Sequence, residues 1–164
     1  MALAFVTAAV TLTSQVLVHR MVSAKLLNNF AFFVLSLTML GFAASGVVLT
    51  RYSDWPRRRL SEISVVASAL YGPAMGLATW AFYRAPNVEV GTGTPAGLAA
   101  SFLACVPMAL VYAVPFALCG LVLGALLASP TLETHRVYAA DLLGSACGAA
   151  AVAPAITLVG VERA

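Results

Sequence analysis

Long apolar stretches alternate with short polar segments along the whole chain. Five of these stretches are long enough for helices that cross a bilayer, which takes about 20 residues at the rise of an α-helix. They predict spans at about residues 2–20, 29–50, 62–83, 96–128 and 137–161. The predicted fold is therefore all-α, a polytopic transmembrane helix bundle of about five spans that forms a single domain over residues 1–164.

The fourth stretch, 96–128, is longer than one upright helix requires and too short for two helices with a turn. Pro107 and Pro115 lie inside it, and each removes a backbone hydrogen-bond donor. We expect one long, bent helix, with a re-entrant break as the alternative. The preceding segment 85–95, rich in Pro, Gly, Thr and Asn, is typical of a loop.

The composition indicates lipid as the solvent. Of the 164 residues, 62% are hydrophobic and only 9% are charged, whereas soluble domains carry roughly 25% charged residues. The net charge is +3, but the basic residues fall between apolar stretches rather than on one face interleaved with aromatic residues. The lipid bilayer is therefore the expected partner, and nucleic acid is not.

Basic residues also predict the orientation, because loops rich in Lys and Arg stay in the cytoplasm. A cluster between the second and third stretches places the N-terminus in the cytoplasm. The first stretch has no basic segment before it, which favours a retained helix over a cleaved signal peptide. The predicted cytoplasmic residues are Arg51, Arg57, Arg58, Arg59 and Arg136, and the predicted outer residues are Arg20, Lys25, Arg84 and Arg163.

Glycines four residues apart occur in three of the predicted spans. In lipid such pairs let helix backbones approach closely, so each pair predicts a tight helix contact. Contacts within the bundle are the preferred interpretation, and contacts with another chain are the alternative. The pairs are Gly72 with Gly76, Gly120 with Gly124, and Gly144 with Gly148.

Four polar residues stand out in or beside the apolar stretches, namely Gln15, Arg20, Asn29 and Asp141. A central charge costs roughly 2.5 to 3.5 kcal/mol on insertion scales. Asp141 is read either as a proton or cation site with Arg136 or Arg20 nearby, or as an acid stabilised by the first turns of its helix. The second interpretation is preferred, and Gln15 is interpreted as an interhelical hydrogen-bonding residue.

No catalytic residue, cofactor site or metal site is predicted. The chain lacks the nucleophile elbow, the phosphate-binding loop, the paired-histidine zinc motif and the dinucleotide motif. The cysteines lie inside apolar stretches without a metal-ligand spacing, which predicts three buried free thiols at Cys105, Cys119 and Cys147.

Three stretches resemble the N-terminal membrane region of bacterial integral membrane proteins related to spermidine synthase. They are Gln15–Arg20, Asn29–Gly46 and Arg136–Gly144, the last followed by Gly148. Asn29 departs from the family pattern, which often has histidine there. In this family several membrane helices precede a cytoplasmic aminopropyltransferase domain, and none of the residues of that domain is present here.

The resemblance implies a non-catalytic membrane domain in the bacterial inner membrane that anchors or regulates a fused or partner aminopropyltransferase domain. It also implies that further helices would follow in the family. Two alternatives remain open. One is a small structural subunit that packs against other membrane protein chains, and the other is a transporter-like module for a small cation with Gln15 and Asp141 along the path.

Overall fold

The structure, a computed structural model, describes residues 1–25, 28–85 and 94–159. These residues contain helices and no strand, which confirms the predicted all-α bundle. The predicted loop residues 86–93 and the predicted end of the fifth span at 160–161 lie outside the described residues. The helices are α1 (Ala2–Lys25), α2 (Asn28–Arg51), α3 (Trp55–Arg58), α4 (Leu60–Arg84), α5 (Pro95–Ala128) and α6 (Thr134–Val159).

Four of the helices, α1, α4, α5 and α6, are long and apolar enough to cross a membrane. The chain is therefore a multi-pass helical membrane protein. Helix α2 has the same length as α1, 24 residues, and its only charged residue is the final Arg51. Within α2 the stretch Met39–Arg51 is a shorter apolar segment. The very short α3 connects α2 to α4.

Helix α5 runs unbroken for 34 residues with Pro107 and Pro115 inside it. The long single helix is thus present, and the re-entrant break is not. The start of the helix is stabilised in two ways. Pro95 lacks the backbone N–H, which has no partner in a first turn in any case, and the Thr94 hydroxyl accepts a hydrogen bond from the Gly97 amide at 3.1 Å. At 1.5 Å per residue α5 is about 51 Å long, well beyond a hydrocarbon core of about 30 Å.

Helices α1 and α6 pack in parallel through two glycines. A Cβ added at Gly144 would lie 2.9 Å from the Cα of Phe5 and nearer still to its carbonyl oxygen. The same geometry recurs one turn on, where Gly148 faces Ala9. The Thr13 hydroxyl donates a hydrogen bond to the Gly148 carbonyl at 3.1 Å, because helical side chains lean towards the N-terminus. This pair, α1 and α6, has no room for a side chain at its contact.

Helices α2 and α5 form a second parallel pair. A Cβ added at Gly41 would lie 2.9 Å from a backbone nitrogen of α5. Farther along, Gly120 lies against Ser45, and Gly124 lies against the tip of Leu49. The glycine contacts therefore come from both helices here, whereas in the first pair they come from α6 alone.

The third glycine pair makes no contact within the bundle. A Cβ added at Gly72 or Gly76 would have no heavy atom within 4 Å among the described residues, so the expected internal contact is absent. Helix α4 packs on α5 through the opposite face, which carries Ala67, Ala78 and Phe82. At 3.6 residues per turn, the glycines point away from that face.

The bundle is held together by two buried clusters at its two ends. One joins α1, α4 and α5 around Val22, Phe82 and Tyr112, and the Phe82 and Tyr112 rings are 6.1 Å apart. The other joins Ala4, Ala67, Val122, Leu126 and Val137. Helices α1 and α4 are both antiparallel to α5. Helices α1, α4 and α6 therefore run in one direction, and α2 and α5 run in the other.

Burial differs among neighbouring aromatic residues of α4 and among the three cysteines. Phe82 is 2% exposed, since it fills the cluster between α4 and α5. Its neighbours Trp80 and Tyr83 are exposed, as expected for interfacial aromatic residues. The prediction of a buried thiol at Cys147 is wrong, since this residue is exposed, whereas Cys105 and Cys119 are buried free thiols.

The glycine contact between α1 and α6 makes a testable prediction. We expect Gly144→Ala to lower the free energy of unfolding by about 1–3 kcal/mol, because the added methyl group meets rigid backbone rather than a flexible side chain. Detergent-titrated unfolding measures the change. Gly76→Ala is the matched control on an exposed face and should leave the protein unchanged or slightly more stable. Equal losses in both variants would contradict the packing described.

Candidate functional site

A cleft of about 430 Å³ lies between the two parallel pairs. Helices α1 and α5 form its floor, and α2 and α6 form its walls. The two wall helices barely touch each other, so the cleft opens between them rather than being sealed inside the bundle. Its volume is within the usual range of small-molecule sites, about 300–1,000 Å³.

Most of the cleft is lined by apolar groups, with a few polar side chains among them. Two of the polar residues singled out from the sequence, Gln15 and Asp141, both line this cleft. Hydroxyl groups are contributed by Thr11, Ser45 and Ser145. The Thr11 and Ser45 hydroxyls donate hydrogen bonds to carbonyls of their own helices, at 2.6 and 2.7 Å. These hydroxyls therefore do not require a hydrogen-bond acceptor on a ligand.

Gln15 and Asp141 lie towards opposite ends of the cleft. Since Phe5 faces Gly144 and the two helices are parallel, Asp141 is level with the start of α1. Gln15 is 13 residues beyond Ala2, which corresponds to about 20 Å along the bundle. The structure therefore brings these two polar residues into one cleft but not into contact. Asp141 is at the end formed by the α2–α4 and α5–α6 connections.

The Gln15 side chain is 8% exposed and has a weak partner. Its Nε2 donates to the Met39 sulfur at 3.6 Å, and a thioether is a poor acceptor. In the described parts of the chain no other hydrogen bond of this amide occurs. The expected interhelical role is thus present in weak form, between α1 and α2, and the amide retains hydrogen-bonding capacity towards the cleft.

Asp141 lacks the cationic neighbours expected from the sequence. Arg136 binds Glu133 instead, with its Nε 2.5 Å from Oε2. Arg20 is exposed and is 18 residues beyond Ala2 on α1, about 27 Å from the level of Asp141. Among the side chains that the structure describes, no Arg or His forms an ion pair with Asp141.

The preferred explanation of Asp141 as an acid in the first turns of its helix also fails. Helix α6 begins at Thr134, so Asp141 is its eighth residue, two turns inside. Interactions with free backbone amides and with the helix dipole fall off after the first turn. Asp141 is half-buried there, lining the cleft without a stabilising partner in the described residues.

The structure also contains a polar contact that the sequence reasoning missed. Tyr71 on α4 and Ser14 on α1 form a hydrogen bond of 2.5 Å on the side of α1 away from the cleft. A buried tyrosine hydroxyl usually has a hydrogen-bond partner, so a tyrosine inside an apolar stretch could have indicated such a contact from the sequence. The contact joins α4 to α1 outside the cleft, which Thr11 and Gln15 line.

The remaining sequence candidates do not add to the cleft. The side chain of Asn29 lies outside the described residues, although its backbone belongs to α2. The described residues contain no group of three His, Cys, Asp or Glu side chains that could hold a metal ion. Searches against family models, curated proteins and solved structures found no match for this chain.

Gln15 provides a test of whether the cleft residues serve stability. We expect Gln15→Met to leave the free energy of unfolding within about 1 kcal/mol of the unmodified protein, because only a weak hydrogen bond to sulfur is lost. Thr13→Val is the reference for a true interhelical hydrogen bond and should cost about 0.6 kcal/mol. A loss above about 2 kcal/mol for Gln15→Met would show that the amide is structural.

Proposed function

We propose that this chain is a non-catalytic membrane domain of the spermidine synthase-like type, which anchors or regulates an aminopropyltransferase enzyme. One observation carries the proposal. The third stretch that resembles the family is far from the first two in the chain, yet all three contribute to the same cleft, through Gln15, through Met39 and Gly46, and through Asp141. Residues that converge on one place in this way favour a shared role over three chance similarities.

The distribution of charge supports an N-terminus in the cytoplasm. Because the long helices of the described residues alternate in direction, the N-terminus, the α2–α4 connection and the α5–α6 connection share one end of the bundle. That end carries the exposed arginine cluster between α2 and α4. Tyr52 and Trp55 stack there with ring centroids 4.6 Å apart, and the Arg51 guanidinium lies 5.9 Å from the Tyr52 centroid. Aromatic and basic residues of this kind favour the cytoplasmic headgroup region.

This orientation constrains how an enzyme domain could be attached. Helix α6 is parallel to α1, so the chain leaves it at the outer face of the bundle. A cytoplasmic domain that follows in the same chain needs an odd number of additional spans between the two. An enzyme on a separate chain would instead meet the cytoplasmic end directly, at the arginine cluster.

The reading frame beyond codon 164 tests the proposal. We expect it to encode an odd number of additional apolar spans followed by an aminopropyltransferase-like domain. The complementary measurement is affinity purification of the tagged chain from its native membrane, with aminopropyltransferase activity assayed in the eluate. A stop codon at that point, together with an eluate free of this activity, would contradict an anchoring role.

The proposed orientation depends on a narrow margin of charge, five basic residues against four. We expect alkaline phosphatase inserted after residue 53 to be inactive and the same enzyme after residue 88 to be active. Replacing Arg57, Arg58 and Arg59 together by Gln reduces the inner count to two, and this variant should invert or become mixed. Replacing Arg20 and Arg84 by Gln is the control that should strengthen the original pattern. The reverse activities in the unmodified chain would contradict the orientation.

A second candidate, a structural subunit of a larger membrane complex, is favoured by the exposed face of α4. Gly72 and Gly76 meet nothing within the described bundle, and Leu77 and Trp80 beside them are more than half exposed. Small residues on a lipid-facing surface permit close approach by another helix. Native mass spectrometry of gently extracted membranes tests this candidate, which predicts partner chains that are lost when Gly76 is changed to Leu.

A further inference from the structure

Asp141 presents a carboxylate that the described protein does not neutralise. It is the eighth residue of α6, it is level with the start of α1, and its side chain lines the cleft. The nearest ion pair at this end, Glu133 with Arg136, is exposed and complete without it. This end of the cleft thus carries a carboxylate that is available to pair with a positive group of a ligand.

The distance between Asp141 and Gln15 determines the shape of a suitable ligand. Between these two residues, over about 20 Å, the floor and walls are largely hydrocarbon. The apolar side chains that line this length are Leu12, Phe42, Leu49, Leu123 and Leu127. A ligand that fills the cleft must therefore bury an apolar body of similar length.

The same lining argues against two other cationic ligands. A polyamine would bury its internal ammonium groups among leucine side chains, and burying an unpaired charge in such surroundings is costly. A small metal cation needs several oxygen ligands in one place, and the lining of the cleft in the described residues includes no acid besides Asp141. A single ammonium group on a hydrocarbon chain avoids both difficulties.

The far end of the cleft and its opening complete the match. The Gln15 amide has spare hydrogen-bonding capacity and suits a neutral polar group on the ligand, such as a hydroxyl or carbonyl. Because the cleft opens between α2 and α6, an amphipathic molecule can enter sideways from the bilayer. Entry from water would instead require the whole apolar body of the ligand to cross the polar headgroup region.

We propose that the cleft binds an elongated amphipathic amine, with its ammonium group at Asp141, its hydrocarbon chain along the cleft and a polar group at Gln15. The amine has two possible sources, a free long-chain amine or the headgroup of an aminophospholipid. The binding site does not depend on whether an enzyme domain is attached to this chain. A failure of the proposed anchoring role would therefore not contradict this binding site, and a failure of the binding site would not contradict the anchoring role.

Equilibrium binding of radiolabelled hexadecylamine to the full chain in phosphatidylcholine nanodiscs tests the proposal, with empty nanodiscs as background. We expect saturable binding of one amine per chain. Asp141→Asn should weaken it by about 10- to 100-fold, the range of a charge-assisted hydrogen bond, and Asp141→Glu should largely retain it. Glu133→Gln is the matched control, since this acid is at the same end of the bundle but outside the cleft. It should leave binding unchanged.

Competition experiments define which parts of the ligand matter. Unlabelled hexadecylamine should displace the probe, while hexadecanol and spermidine should not. Equal displacement by hexadecanol would overturn the role of the carboxylate, and equal displacement by spermidine would overturn the role of the hydrocarbon lining. Unchanged affinity in Asp141→Asn would overturn the proposal as a whole. Circular dichroism and gel filtration of each variant verify that the bundle is folded.

The source of the amine follows from what the chain retains during purification. Native mass spectrometry of the chain extracted from membranes that contain phosphatidylethanolamine gives one of two supporting results. A phosphatidylethanolamine adduct that is lost in Asp141→Asn assigns the site to the lipid headgroup. Hexadecylamine binding without such an adduct assigns it to a free amine.

Discussion

The close approach of parallel helix backbones is the constraint on which the rest of this structure depends. In lipid the hydrophobic effect does not drive helices together, so their association relies on packing and on hydrogen bonds between them. Gly144 and Gly148 bring α6 against the backbone of α1, and Gly41 does the same for α2 against α5. These contacts fix the register within each pair. The cleft is the space between the two pairs, and larger side chains such as Leu49 and Leu123 line it.

The fold follows from the sequence to the extent that it depends on local properties. Apolar stretches of sufficient length predicted the long helices, and the continuous α5 required only that two prolines be tolerated inside it. The glycine spacing did not reveal which pairs make internal contacts. Gly72 and Gly76 have the same spacing as Gly144 and Gly148 but lie on the face of α4 opposite to α5. The face that a helix presents to its neighbours depends on those neighbours, and one chain segment alone does not contain this information.

The same distinction applies to the candidate site. Gln15 and Asp141 stood out because polar groups are rare at membrane depth, and both line the cleft. Their separation and the absence of a cationic partner were not predictable. The separation depends on the parallel register of α1 and α6, and the pairing of Arg136 with Glu133 depends on where α6 begins. A helix that starts three residues earlier than expected moved Asp141 out of the first turns. Met39 was missed because its thioether carries no signal in an apolar stretch.

The pairing of α1 with α6 has a consequence for biosynthesis. The hydrogen bond from Thr13 to Gly148 joins residues 135 positions apart. At a translation rate of about 5–20 residues per second, α1 waits roughly 7–27 s in the membrane before its main partner emerges from the ribosome. During this time its glycine-facing surface, around Phe5 and Ala9, is available to other helices or to an insertion factor. The α4–α5 hairpin is sequential and can assemble first, so the two ends of the chain close the bundle last.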